Sequence, residues 1–292
     1  MISQLSTLDS QLRPARTWPL PTAMGMVLVV FWPTMVELLR YWNNDDNYSH
    51  GFLVPVVSLI FAVTGSRQAG TLVRTRLPQR SVRVGMLSLV LGMIVHAVGA
   101  FVNFPLLDVA GLVLTLRGVL YLLGGQKVWR ANAFAVWFLV FMAPLPLTWY
   151  QALSRTLQNI ATQLSAGGLT LVGVPVLVEG QLLHVPGYTL EVAEACSGMR
   201  QVMAFLALSV IVAKLSGGRG WSRWGLVLLA MPIAVAANCL RIVFTGVLIR
   251  IGGVGWVTGS WHTAEGMVTL MLGLLLFAAA ARALRGRAAV AD

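Results

Sequence analysis

Charge is scarce in this chain. Only 11% of its 292 residues are Asp, Glu, Lys or Arg, whereas a soluble domain averages about 25%. Acid is scarcer still: ten Asp and Glu stand against 21 Lys and Arg, for a formal net charge of +11. Cysteine is almost missing. The only two, Cys196 and Cys239, exclude a disulfide framework and lack metal-ligand spacing, and nothing supports a bridge between them. Four histidines and no HExxH, GxSxG or Walker pattern leave no metal site and no cofactor to expect. The first 20 residues hold no apolar core ahead of a small-residue cleavage site, so no cleavable signal peptide is expected. There is no low-complexity tract and no clear internal repeat.

What the chain has instead is apolar length. It is 57% hydrophobic with mean hydropathy +0.78, and it carries repeated apolar runs of roughly 17 to 25 residues, enough to cross a bilayer. The fold class expected is an all-α polytopic membrane protein, read as a single domain over 1–292. Hydropathy and breakers predict about eight spans near 22–39, 51–65, 84–102, 107–123, 132–149, 196–214, 224–243 and 262–281.

Orientation follows from the basic residues. Arg13 and Arg16 precede the first span, and Arg67, Arg74, Arg76, Arg80 and Arg83 fill the loop after the second. Lys127 and Arg130, then Lys214, Arg219 and Arg223, then Arg282, Arg285 and Arg287 follow the fourth, sixth and eighth. With eight spans all of these fall on one side. That predicts both termini, including segment 1–21, on the cytoplasmic side. Basic residues confined to short loops are a topology signal and exclude nucleic acid as the expected partner. Glu37, Asp45, Asp46, Asp108, Glu179, Glu191, Glu194 and Glu265 all fall at or beyond outer ends, which agrees.

The longest outer segment is 150–195. Residues 150–171 place apolar side chains at helical spacing among Gln151, Ser154, Arg155, Gln158 and Gln163, which predicts an amphipathic helix at the interface or against the bundle. Residues 174–192 are short β-prone runs broken at Glu179-Gly180 and Pro186-Gly187, predicting a small extracytoplasmic hairpin or meander that leads into Cys196.

The reactive polar residues gather at span edges on that outer side. Cys196 opens the sixth span, followed by Ser197 and Gly198 and flanked by Glu194 and Arg200. A thiol at a helix N-terminus gains thiolate character from the dipole. Arg241 sits near the outer end of the seventh span with Asn238 one turn earlier, placed to stabilise a thiolate or an oxyanion. His262 starts the eighth span, with Glu265 three residues on to orient it, and can move a proton to a leaving amine. Each has an ordinary alternative: a packed Cys, a snorkelling Arg, an interfacial Trp-His anchor. Three separate segments agreeing on one face is the stronger observation, and a Cys, an Arg and a His there are the parts of a thiol-dependent acyl transfer site. His50 is a rival base or a substrate contact on the same side. His184 reads as a surface residue of the β element. His96 and Arg117 lie within spans and default to a functional role, with no partner named.

At these residues the chain resembles the exosortase/archaeosortase family. The likeness rests on Glu194-Ala-Cys-Ser-Gly-Met-Arg200, Asn238-Cys-Leu-Arg-Ile242, His262 followed by Gly266, and Tyr48-Ser-His-Gly-Phe-Leu-Val-Pro55, and it runs from about residue 40 to 280. The resemblance implies a multi-pass membrane cysteine protease or transpeptidase working outside the cytoplasmic membrane. Its partners would be exported proteins ending in a short Pro-Glu-Pro-type motif, a transmembrane helix and a basic cluster. The enzyme would cut near the motif and transfer the new C-terminus to an unidentified acceptor, in contact with membrane lipids. The family's catalytic Cys, Arg and His fall on Cys196, Arg241 and His262. No fused accessory domain is expected. A transporter, or a scaffold of polysaccharide export, is the alternative. A transporter would show broken helices and mid-membrane polar residues; a scaffold would tolerate replacement of Cys196.

Overall fold

The structure, a computed structural model of the chain, describes residues 19–69, 77–192, 199–216, 221–253, 255, 267–268 and 271–283. The chain divides into two compact units, Met1–Pro146 and Leu147–Asp292.

The first unit begins with α1 (Pro19–Val30) and α2 (Trp32–Asn44). Together they occupy the first expected span, but they are bent by 64°. Pro33, in the first turn of α2, has no N–H to give the preceding turn, so the helix cannot run through. A 3₁₀ segment, Asp46–Phe52, follows. Its start is capped by Asp45, whose side chain accepts from the Asn47 backbone at 2.9 Å. The segment leads into α3 (Leu53–Ala69).

Next come α4 (Gln79–Phe101) and the long α5 (Pro105–Phe138). α5 is interrupted at Gly125, whose φ of 70° and ψ of −162° are not helical. Only glycine takes such a conformation cheaply. The guanidinium of Arg117 lies 5.5 Å from the Trp129 ring centre and 5.7 Å from that of Tyr121. Twelve residues of straight helix would set Arg117 and Trp129 about 18 Å apart, so the axis must turn at Gly125. The break falls between the spans expected over 107–123 and 132–149. The part before it packs on α4: a Cβ built on Gly92 would lie 2.6 Å from the Thr115 backbone nitrogen, and one on Gly111 2.7 Å from that of His96. The part after it packs on α3, where Ser58 donates to the Ala135 carbonyl at 2.7 Å and Phe61 meets Phe134 edge-on. α5 ends sooner than the expected span. A 3₁₀ turn, Leu139–Met142, closes it, and Pro144 and Pro146 prevent continuation to 149.

The second unit opens with α6 (Leu147–Leu171). It buries one face, as an amphipathic helix does, but polar and apolar side chains occur on both faces. Gln151, Arg155 and Gln163 are exposed as anticipated, but Ser154 and Gln158 are buried together with Thr162 and Ser165, while Leu147, Trp149, Leu164 and Leu171 point outward. Small hydroxyl-bearing side chains allow close helix approach, and outward apolar ones suit lipid. After α6 come β1 (Leu177–Glu179), β2 (Leu182–Val185) and β3 (Tyr188–Glu191), an antiparallel sheet in the order β1-β2-β3. The second turn holds Gly187 at φ 81° after Pro186, the glycine-requiring position of a type II turn. Leu183, Val185 and Val192 are buried against Ala161 and Leu169 of α6 and against Ile242 and Ile249 from later in the chain.

The unit finishes with α7 (Met199–Leu215), α8 (Trp221–Gly252) and α9 (Met271–Ala283). α8 runs nine residues past the expected end at 243, and the sheet packs along that extension. Among the described residues four helical stretches are long and apolar enough to span: Asp46–Arg67, Gln79–Phe101, Pro105–Met142 and Trp224–Gly252. A fifth is added if the bent pair is one span. That is fewer than the eight expected. The Pro105–Met142 stretch takes in parts of two expected spans, and α7 and α9 are short in their described lengths.

Candidate active site

Three helices of the second unit carry or follow the three reactive segments, and they pack on one another. Phe205 of α7 and Phe277 of α9 have ring centres 6.4 Å apart. A Cβ built on Gly273 of α9 would meet Phe205 at 2.5 Å and the Ala237 Cβ of α8 at 3.3 Å. Phe205, Ala237 and Gly273 therefore share one level of the bundle. α7 and α8 are in contact and joined through residues 216–220, so they run antiparallel. From the shared level Arg200 lies five residues back along α7 and Arg241 four residues forward along α8. At about 1.5 Å per residue these are rises of about 7 and 6 Å in the same direction. Arg200 and Arg241 thus sit at nearly one height, toward the end at which α7 begins.

On α8, Asn238 and Arg241 are one turn apart. Asn238 is 1% exposed and Arg241 is half-buried. The helix here is reinforced by Thr245, whose hydroxyl donates to the Arg241 carbonyl at 2.9 Å. Among the described residues no carboxylate pairs with Arg241, whose guanidinium is a planar fork of five N–H donors suited to an anionic group. Arg200 is exposed on the first turn of α7. Beside it Gln201 has a buried side-chain carbonyl oxygen with no hydrogen-bond partner among the described residues, a polar group that sequence reading passed over. Cys196, Glu194, Ser197, His262 and Glu265 lie outside the described residues. In the chain Cys196 follows Val192 by four residues and precedes Met199 by three, and both anchors are 1% exposed.

The other cysteine is a different kind of residue. Cys239 is a free thiol, 9% exposed, packed beside Ser165 within the core of Ala161, Leu169 and Ile242. Its place in a wall of aliphatic side chains is that of a structural cysteine.

His50 belongs to the first unit. Its Nδ1 lies 3.2 Å from the Asn47 carbonyl and its Nε2 3.2 Å from the Phe141 carbonyl. Both ring nitrogens face backbone carbonyls of two 3₁₀ segments, and the neutral imidazole, with its single N–H, donates to one of them at a time. Also in the first unit, His96 has the partner that sequence reading did not name. Its Nδ1 lies 3.0 Å from Asp108 Oδ1, and Phe31 covers the imidazole at 4.2 Å between ring centres. The two residues are twelve apart, on helices whose glycine contacts bring them together, so no local spacing advertises the pair. His184, expected at the surface, is half-exposed and bridges Thr189 Oγ1 at 2.9 Å and Glu179 Oε2 at 3.2 Å.

Comparison with known proteins adds one match. The family model described as transmembrane exosortase matches residues 42–279, a stretch that includes Cys196, Arg241 and His262. No curated protein matches the chain, and no solved structure does. With a match over most of its length, this multi-pass membrane protein belongs to the transmembrane exosortase family.

Proposed function

We propose that the chain is a membrane-embedded cysteine peptidase or transpeptidase that cleaves the C-terminal sorting signals of exported proteins and passes them to an acceptor. The observation that carries this reading is the mutual packing of α7, α8 and α9. These helices carry Arg241 and adjoin Cys196 and His262 in the chain, within a stretch that matches the family. The Cys196 thiolate attacks the scissile carbonyl carbon. The developing oxyanion is stabilised by the Arg241 guanidinium, which lacks a carboxylate partner among the described residues, with Asn238 and Arg200 in support. His262, oriented by Glu265, protonates the departing amine as the C–N bond breaks, leaving a thioester on Cys196. An acceptor amine or hydroxyl, or water, then attacks the thioester carbonyl, gives its proton to the now neutral His262, and releases the thiolate. Glu194 and Ser197 flank the nucleophile and shape its approach. The orientation that goes with this is an extracytoplasmic site, cytoplasmic termini and location in the bacterial inner membrane.

The test is mass spectrometry of a co-expressed reporter with a Pro-Glu-Pro-type C-terminal signal, beside wild type and Cys196→Ala. Wild-type-only loss of the C-terminal helix is expected, and the mass of the new C-terminus separates transfer from hydrolysis. An intact reporter across a panel of such signals, with folded protein, would overturn the reading. A transporter is the second reading, favoured by the 64° bend between α1 and α2 and the buried His96–Asp108 pair. It requires a transport activity that survives Cys196→Ser.

A further inference from the structure

We propose that the outer edge of β3 is where an extended segment of the substrate peptide adds as a fourth strand, with the backbone groups of Thr189 and Glu191 as its pairing sites. This deepens the peptidase reading above and rests on it. The register supplies the first argument. β2 pairs with β3 as Val185 with Tyr188, Leu183 with Leu190, and Leu182 with Glu191, and the Val192 N–H donates to the Gln181 carbonyl at 2.9 Å just beyond. Antiparallel ladders use alternate residues for inward bonds. Tyr188, Leu190 and Val192 therefore point their N–H and C=O groups at β2, while Thr189 and Glu191 point theirs away. Among the described residues no other backbone meets them. Both residues are exposed. By the same alternation β1 turns outward only the groups of Val178, so β3 is the better-equipped edge.

The second argument is stiffness. A mobile edge would lose entropy on pairing, and this one is held from behind. Thr189 is tied across two strands: its hydroxyl donates to His184 Nδ1 at 2.9 Å, and His184 Nε2–H donates to Glu179 at 3.2 Å. On the opposite face Leu183 and Val185 are buried in the core. The third argument is continuity. Cys196 comes only five residues after Glu191 in the chain, so a peptide paired with β3 is held on the segment next in sequence to the thiol.

The edge also states what kind of peptide fits. Side chains of an added strand alternate between the two faces. One set would lie beside Thr189 and Glu191, the other beside Tyr188 and Leu190. An extended peptide with apolar residues at alternate positions fits, and an acidic residue directly beside Glu191 is disfavoured.

The experiment is an N-methyl scan of a synthetic signal peptide that wild-type protein cleaves. Blocking one N–H at a time is expected to raise KM roughly 2- to 10-fold, the size of one net hydrogen bond, at every second residue and to leave kcat nearly unchanged. Thr189→Pro and Glu191→Pro remove outward N–H groups that the β2–β3 ladder does not use, so each is expected to raise KM by the same factor. Thr189→Val and Glu191→Ala keep the N–H and separate it from the side chain. A scan without a two-residue period, or proline variants that fold and keep wild-type KM, would overturn the inference while leaving the peptidase reading intact. If the proline variants fail to fold, the scan on wild-type protein still decides. If the variants abolish a cross-linked dimer and leave KM unmoved, the edge joins two copies of the chain, and the peptide proposal falls. Wild-type protein that cleaves no signal overturns both readings.

Discussion

Replacing Gly92 by Ala tests the seam that builds the first unit. Gly85, Gly92 and Gly99 recur every seventh residue along α4, and Gly111 and Gly118 answer them from α5. A Cβ on Gly92 would sit 2.6 Å from the Thr115 nitrogen and 2.9 Å from the Gly111 oxygen. Ordinary contact begins at 3.4 Å, so the intrusion is about 0.5 to 0.8 Å into backbone, which cannot rotate aside as a side chain can. The two helices must separate along a seam that also holds the His96–Asp108 pair. Overpacking of this kind costs about 1–3 kcal/mol, of which the better helix propensity of Ala returns at most about 1 kcal/mol. Gly167→Ala on α6 is the control, because nothing lies within 4 Å of its Cβ. There the propensity gain stands alone and the change is neutral or stabilising by up to about 1 kcal/mol. Thermal unfolding in detergent should place Gly92→Ala several degrees below wild type and Gly167→Ala at or above it. Gly92→Ala melting with or above Gly167→Ala would refute the α4–α5 seam.

Three further predictions follow from the site and its surroundings. Arg241→Lys keeps the charge but loses the planar fork, and reporter kinetics should show kcat reduced roughly 100-fold with KM within about twofold; an unchanged kcat would remove Arg241 from the chemistry. Cys239→Ala should process the reporter like wild type, and maleimide should leave Cys239 unlabelled in folded protein because it is buried; loss of processing in Cys239→Ala would make the structural assignment of that thiol wrong. His96→Ala strands the Asp108 carboxyl in the α4–α5 interface at a cost of about 1–3 kcal/mol, and Asp108→Asn should cost less once His96 is gone. Strictly additive losses in that double-mutant cycle would mean the pair is only proximate.

Much of this architecture was legible because lipid leaves few options. Apolar runs had to be helices, and the change of composition around Gly124-Gly125, Lys127 and Arg130 marked where α5 breaks. The β element was legible from Glu179-Gly180 and Pro186-Gly187, and α8 as the bearer of Asn238 and Arg241 from its apolar length. Other features had no signal of the kind being read. Periodicity tells that α6 has two faces but not which one turns inward. The helix hides Ser154, Gln158, Thr162 and Ser165 beside Leu157, Ala161 and Leu169, and shows Trp149 and Leu164 beside Gln151 and Arg155, so neither face is of one kind. Pairing was illegible for a related reason. His96 meets Asp108 only because glycines bring two helices into backbone contact, and that register depends on residues spread over forty positions. His184 reads as one polar residue in a short strand until the register of three strands sets Glu179 on one side of it and Thr189 on the other. The chemistry-bearing side chains were therefore legible as residue types, but not in their place along a span: Arg241, expected near the outer end, has eleven more residues of α8 beyond it. What the sequence does not show is the level at which Phe205, Ala237 and Gly273 meet, residues that carry no chemistry and whose smallness or flatness lets three helices close.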